Sequence, residues 1–316
     1  MVSIGYFLSC EEFGPQELVE QAKLAEQAGF ERLWISDHFH PWLDEQGQSP
    51  FVWSVIGALS QVTSLPITTA VTCPTMRIHP AIVAQAAATA AVQCRGGFTL
   101  GVGSGEALNE HVLGDHWPEP EQRLEMLDEA IDVIRELHTG KLVNHRGKHY
   151  TVEQARIYTL PEEPVQIYVS AFGPKAISHA AQKADGLCTV MPDADLVKRY
   201  RDEGGRGPVQ GGFKACWAES EEQGRRTAHR KWPNDLLPGN LPRNLPIPSE
   251  FAAASTLVTE EAVGEAIPCG PDADKYVRQV GKFVDAGFDE VYVQQIGSDH
   301  EKFFDAWSSK VLPEFK

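Results

Sequence analysis

Residues 2–36 read VSIGYFLSCEEFGPQELVEQAKLAEQAGFERLWIS, which is an apolar segment of strand length, an amphipathic segment of helix length and a second apolar segment. In the amphipathic segment, Leu18, Ala22 and Ala25 fall on one face of a helix. Gly29 follows the last apolar position, as is typical of the residue just past a helix end. This stretch therefore predicts the first strand–helix unit of an α/β fold.

The same alternation continues to the end of the chain. Apolar segments of strand length recur at 2–8, 32–36, 66–72, 98–103, 165–170, 186–190, 211–217 and 289–295. Eight strands that alternate with helices are the pattern of a (β/α)8 TIM barrel, and such barrels often reach this length as one domain. The sequence therefore predicts a TIM barrel that spans residues 1–316 as a single domain.

Two stretches do not follow the alternation. Residues 232–258 contain five prolines and little periodicity, which indicates an insertion between the seventh strand and the last helix. This insertion is either a mobile cover over the mouth of the barrel or an irregular packing segment. The stretch at 148–164, before the fifth strand, predicts a small hairpin.

The composition limits the classes of partner. The formal net charge is −16 and no stripe of lysine or arginine is visible, so a nucleic-acid partner is not expected. The apolar run at the N-terminus lacks a basic flank and is too short for a membrane span, which predicts a cytoplasmic protein. The six cysteines form no C-x-x-C pair, so reduced, buried thiols are expected.

Ionisable residues cluster where the predicted strands end. Glu11 follows the first strand, His38 the second and Glu106 the fourth. Because the working residues of a TIM barrel lie at the C-terminal ends of its strands, these side chains are expected to converge on one mouth. His38 and Glu106 form a candidate acid/base pair, with Glu11 as a third candidate. Each residue alone is more often structural, so the prediction depends on their joint placement.

The pair His38 and His40 also raises the alternative of a metal-dependent hydrolase. Such a site needs further ligands from later strands. The segments VQIYVSAF at 165–172 and GLCTV at 186–190 supply no histidine, aspartate or glutamate there. The sequence therefore favours a site without a metal.

Three further features are compatible with a bound cofactor. The glycine-rich run GVGSGE at 101–106 allows a ligand close to the backbone, with Ser104 and Asn109 as donors, although as a motif it is nonspecific. The run SAFGPKA at 170–176 leads from a strand into a helix, where free N–H groups can bind phosphate. Trp42 lies in a polar loop, either as a core residue or as a ring that covers a flat ligand.

Together these segments resemble the luciferase-like TIM-barrel oxidoreductases, in the branch that uses the deazaflavin coenzyme F420. The resemblance is carried by GYFLSCEEFGP at 5–15, SDHFHPW at 36–42, TCPTMRIHPAIVAQ at 72–85 and GVGSGEALNE at 101–110. It continues more weakly through AFGPKA at 171–176, and the last third of the chain matches only in outline.

The resemblance implies roles for individual residues. It gives His38 a catalytic role, Glu106 proton transfer, Trp42 a place over the substrate and Glu11 a place in the same pocket. The implied coenzyme contacts are Asp37, Ala70, Val71, Cys73, Ser104, Gly105, Asn109, Phe172, Gly173, Lys175 and Ala176. The family also carries a non-prolyl cis peptide on its third strand, which here joins Ala70 and Val71. A homodimer is implied as well.

The implied activity is hydride transfer between the coenzyme and the carbinol carbon of a small-molecule substrate. The sugar-phosphate enzymes of this branch hold the phosphate with a lysine just after the sixth strand, but Pro192 stands at that position here. A neutral sugar or an alcohol is therefore the expected substrate. The alternative within the superfamily is an FMN-dependent monooxygenase, and the alternative outside enzymes is a binding protein that kept the fold.

Overall fold

The structure, a computed structural model, describes residues 2–316. Its strands, in chain order, are β1 (Ser3–Leu8), β2 (Arg32–Ile35), β3 (Ile67–Thr69), β4 (Phe98–Val102), β5 (Val143–Arg146), β6 (Thr151–Ala155), β7 (Gln166–Ser170), β8 (Gly186–Thr189), β9 (Val209–Ala215) and β10 (Glu290–Gln295). Eight of them close a parallel barrel in the order β1-β10-β9-β8-β7-β4-β3-β2. The predicted (β/α)8 TIM barrel is confirmed.

The barrel strands agree with the eight predicted segments except in length. The third segment is interrupted at Ala70 and Val71, which are joined by a cis peptide bond, and pairing resumes where Thr72 bridges Val102. The seventh strand begins at Val209 rather than at residue 211, because Leu187 and Cys188 of β8 pair with its first residues.

Helices surround the barrel in the order expected for this fold. They are α1 (Pro15–Ala28), α2 (Val52–Val62), α3 (Pro80–Gln93), α4 (Ala107–Glu110), α5 (Pro120–Leu137), α6 (Pro174–Lys183), α7 (Ala194–Asp202), α8 (Glu221–Lys231), α9 (Leu241–Asn244), α10 (Pro248–Ser255), α11 (Glu260–Ala266), α12 (Ala273–Asp285) and α13 (His300–Ala306). In α1, Leu18, Ala22 and Ala25 are fully buried, and Gly29 ends the helix in a left-handed conformation. Across residues 2–316, none of the helices is both long and apolar enough to cross a membrane.

The interior of the barrel is filled by side chains. The rings of Trp34 and Tyr292 stack with centroids 4.3 Å apart, and Tyr168 and Cys188 complete this cluster. All six cysteines are free and buried, as expected. The barrel is therefore a packed core, and its working surface is the mouth at the strand ends.

The predicted hairpin exists but lies earlier in the chain than 148–164. Strand β5 precedes that stretch, and only β6 lies within it. The turn between them is held by Glu129 of α5, whose carboxylate accepts hydrogen bonds from the backbone N–H groups of Lys148, His149 and Tyr150. Since Glu129 is distant in sequence, the local pattern does not show where the turn falls.

Segment 232–258 lies between α8 and α11 and consists of a 3-10 turn (Pro233–Leu236), α9 and α10. Its residues Leu237 and Phe251 pack against Leu43, in the loop after β2, and Leu108, on α4 after β4. Segment 232–258 therefore lies against the mouth of the barrel.

Candidate active site

His38, just beyond β2, lies between two carboxylates. Its Nδ1 is 3.1 Å from Oε1 of Glu11, and its Nε2 is 3.7 Å from Oε1 of Glu106. Nδ1 is buried without an aligned hydrogen-bond partner, so the contact with Glu11 is close but not ideally directed. The His38 side chain is 12% exposed and that of Glu106 is 22% exposed, so the imidazole is reached from the Glu106 side.

Glu11 is fixed by two hydroxyl groups. Ser9 and Ser36 each donate to its Oε2 at 2.8 Å, which leaves Oε1 facing His38. The hydroxyl of Ser36 also accepts a hydrogen bond from the backbone N–H of Cys10. Because this carboxylate is almost fully buried, its orientation is determined by these bonds rather than by water.

Glu106 is fixed by Asn109, one turn later on α4. The Asn109 amide donates to Oε1 of Glu106 at 2.6 Å, and its carbonyl oxygen accepts from the backbone N–H groups of Phe39 and His40. Asn109 therefore ties the loop after β2 to the carboxylate that follows β4. This link brings the side chains of His38 and Glu106 close together.

Trp42 and His40 have different surroundings. The indole of Trp42 meets the ring of His38 edge to face at a centroid distance of 5.0 Å, and its other side meets Phe251 at 5.1 Å. The Nδ1 of His40 instead lies 3.0 Å from the backbone carbonyl oxygen of Leu108. The two histidines of the H-x-H pair therefore do not face a common point.

The strand ends of β3 and β4 form a narrow backbone wall beside this group. The peptide bond between Ala70 and Val71 is cis, as the resemblance implied. At Gly105, with φ +76°, a Cβ atom would lie 2.6 Å from Sγ of Cys73, so a larger residue has no room there. Ser104 and Gly105 are themselves partly exposed, so their backbone can be reached from the mouth.

A buried ionic cluster supports this wall, and the sequence analysis did not identify it. Arg77 donates to Asp37 at 2.8 Å, Thr72 donates to the other oxygen of Asp37, and Glu110 accepts from the backbone N–H of Arg77. Burial raises the pKa of Glu110 to about 7. Arg77 and Glu110 lie inside the motifs TCPTMRIHPAIVAQ and GVGSGEALNE, respectively. The sequence does not show that both side chains lie close to Asp37.

The predicted coenzyme residues after β7 lie next to the end of β4, because these two strands pair in the barrel. Phe172 is 41% exposed, and the guanidinium of Arg243, from segment 232–258, lies 5.4 Å from its ring centroid. A Cβ atom on Gly173, which precedes α6, would meet nothing within 4 Å. Lys175 points away, in an exposed ion pair with Glu121, and Ala176 packs against the core.

The family model described as "Luciferase-like monooxygenase" matches residues 2–290. The chain belongs to the luciferase-like monooxygenase family. Two curated relatives of this family are named F420-dependent glucose-6-phosphate dehydrogenase: that of Amycolatopsis mediterranei is 34% identical over 100% of this chain and 99% of its own length. That of Microbacterium testaceum is 33% identical over 99% of this chain and 97% of its own length.

Two solved structures are similar to this chain in backbone fold. An F420-dependent secondary alcohol dehydrogenase, in complex with an F420–acetone adduct, has a TM-score of 0.92 at 30% identity and covers 100% of this chain and 99% of its own. The F420-dependent tetrahydromethanopterin reductase of Methanopyrus kandleri, at 21% identity and a TM-score of 0.76, shares the fold. The luciferase-like barrel predicted from the sequence is therefore confirmed.

Proposed function

We propose that this luciferase-like protein is an F420-dependent dehydrogenase that oxidises or reduces a CH–OH group of a non-phosphorylated alcohol or sugar. The observation that carries the proposal is the contact of His38 with both Glu11 and Glu106 at the barrel mouth. The names of the relatives at 34% and 33% identity, and of the structure at 30% identity, support the coenzyme.

The site residues can move the protons that accompany such a reaction. His38 is placed to take the hydroxyl proton of a bound alcohol, or to donate to a carbonyl oxygen in the reverse direction. Glu11 stabilises the imidazolium that results, because its oxygen is held toward Nδ1 by Ser9 and Ser36. Glu106, the more exposed carboxylate, is placed to exchange a proton with the coenzyme.

The residues present fit a deazaflavin coenzyme, which when bound supplies or accepts the hydride. Ala70, Val71, Ser104 and Gly105 are each partly exposed at the ends of β3 and β4, so the backbone there is accessible to a flat ring. These four residues would hold it on that side, whereas Cys73 and Asn109 are buried behind them and would support the site from below. The start of α6, at Phe172 and Gly173, would hold an anionic group, because its first N–H groups have no helical partner.

The loop after β8 supports a substrate without a phosphate. Val190 is 50% exposed and Met191 is 54% exposed, and Pro192 follows them. A phosphate needs cationic or N–H donors, and these side chains supply neither. Lys214 of β9 is paired with Asp235 at 2.8 Å. The proposed substrate class therefore differs from the glucose 6-phosphate in the names of the curated relatives.

A homodimer, also proposed, has a suitable surface on α2 and α3. Neither helix contains a charged residue, and Trp53, Ile56, Ile82 and Ala86 line a groove between them. On a chain of net charge −16, an uncharged face is where two copies meet with least repulsion. Sedimentation velocity of the wild type and of Ile82→Glu tests this: a dimer is expected for the first and a monomer for the second.

The proposed activity is tested by binding and turnover. Purified protein is titrated with F420 and, in parallel, with FMN, and the bound F420 is then mixed with neutral sugars, secondary alcohols and glucose 6-phosphate. We expect saturable binding of F420 and loss of its fluorescence with a neutral alcohol or sugar. Preference for FMN would favour the monooxygenase alternative, and turnover of glucose 6-phosphate alone would contradict the proposed substrate class.

A further inference from the structure

Gln46 lies in the loop between β2 and α2, and its side chain joins two parts of the chain. Its Oε1 accepts hydrogen bonds from the backbone N–H groups of Trp42, at 2.8 Å, and Leu43, at 3.3 Å. Its Nε2 donates to the backbone carbonyl of Lys231 at 2.9 Å and approaches Oδ1 of Asn234 at 3.5 Å. Gln46 is 2% exposed, so water does not substitute for these partners.

The loop that Gln46 holds has no strand or helix of its own between β2 and α2. Several of its backbone N–H groups, those of Trp42 and Leu43 among them, therefore depend on side chains for their partners. Without the Gln46 amide, these two N–H groups lose their partner, and the loop loses the bonds to the two peptide groups that flank Trp42. The Lys231 side chain adds a second link, to the backbone carbonyl of Glu45.

The side chain of Trp42 is held from the same direction. It meets the ring of Phe251 of segment 232–258 at a centroid distance of 5.1 Å, and it borders the cluster that contains Trp232, the first residue of this segment. Trp232 is itself anchored, because its Nε1 donates to the buried carboxylate of Glu12 at 3.0 Å. Residues of segment 232–258 therefore make up part of the packing around the Trp42 indole, with Phe251 in direct ring contact.

We infer that Gln46 is a positioning residue that couples segment 232–258 to Trp42, so that this segment sets where the indole lies beside His38. The inference rests on the proposed function for its kinetic consequence, since it takes Trp42 to lie over the substrate, as the family resemblance implies. It makes segment 232–258 a determinant of substrate binding through Trp42, even for residues that do not touch the substrate.

Two substitutions distinguish the acceptor of the Gln46 amide, which binds the loop, from its donor, which binds Lys231. Gln46→Glu keeps an acceptor for the N–H groups of Trp42 and Leu43 but replaces the donor that faces the Lys231 carbonyl. Gln46→Leu removes both. Gln48→Glu, on the same loop but exposed, is the matched control. The measurements on the full chain are the Kd of F420, kcat and KM for the alcohol or sugar found above, and the rate of proteolytic cleavage within 232–258 without coenzyme.

For Gln46→Glu we expect faster cleavage within 232–258 and a KM raised about tenfold, with kcat and the Kd of F420 close to wild type. For Gln46→Leu we expect kcat to fall as well, because Trp42 is no longer held beside His38. Gln48→Glu should change none of these. A general loss of folding would instead lower kcat and the amplitude of F420 binding together, with KM unchanged.

Unchanged cleavage and unchanged KM in Gln46→Glu would overturn the inference and leave Gln46 as a residue that only fills the core. If the wild type binds no F420, the proposed function fails, and the cleavage rates still decide the coupling: faster cleavage in Gln46→Glu supports it, and equal cleavage rejects it.

Discussion

The two halves of the barrel mouth differ in chemistry. At the ends of β1 to β4 lie Glu11, His38 and Glu106, supported by the buried Asp37–Arg77–Glu110 cluster. At the ends of β7 to β10 three apolar side chains are exposed, those of Phe172, Val190 and Met191. We call these two parts of the mouth the ionic half and the apolar half. In the proposed function, the ionic half carries proton transfer and the apolar half favours an uncharged substrate.

The largest effect is expected in the ionic half. His38→Ala should lower kcat by about a thousandfold, because a positioned general acid or base contributes roughly 10²–10⁴-fold. The Kd of F420, from fluorescence titration, should change little. His179→Ala, in an ion pair on α6, is the control. A His38→Ala enzyme with near wild-type kcat would end the assignment of proton transfer to this half.

The buried cluster of Asp37, Arg77 and Glu110, which supports the ionic half, should make the free energy of unfolding depend on pH. The pKa of Glu110 is raised by burial to about 7 in the folded protein, against about 4.5 in the unfolded chain. Between these values the unfolded chain releases a proton that the folded protein keeps, so stability is lost as the pH rises through this window. The wild type should lose about 3 kcal/mol relative to Glu110→Gln between pH 4.5 and 7.5.

This difference is measured by urea unfolding of both proteins across the pH range. Glu265→Gln, an exposed carboxyl on α11, provides the control and should follow the wild type. If the free energies of unfolding of the wild type and Glu110→Gln change in parallel with pH, the charge of the buried cluster is constant over this range. The cluster would then have a purely structural role.

The smallest of these effects is expected in the apolar half. Pro192→Lys should raise kcat/KM for glucose 6-phosphate by about tenfold, because it adds one cation beside the exposed apolar side chains of Val190 and Met191. Pro192→Gln adds a side chain of similar length without charge and should leave this value unchanged. Equal gains from both variants would show that space, rather than charge, limits phosphorylated substrates, and would blur the contrast between the halves.

Much of the architecture was predictable from local pattern. The periods of the strands and helices, Leu18 to Ala25 among them, give eight strand–helix units, and the residues just after each strand give the candidate mouth. The hairpin was placed too late because Glu129 holds its turn from α5. The family resemblance, not the pattern, implied the cis bond between Ala70 and Val71, which the structure contains.

The sequence by itself determined the barrel, the family and the identity of His38, Glu106, Glu11 and Trp42 as residues near one another, because strand ends of a closed parallel barrel must meet at one face. Only the tertiary structure decided how they are held. Ser36 with Glu11, Arg77 with Asp37 and Gln46 with Lys231 are 25, 40 and 185 residues apart in sequence. Their contacts depend on barrel closure and on the path of segment 232–258, which no local period encodes.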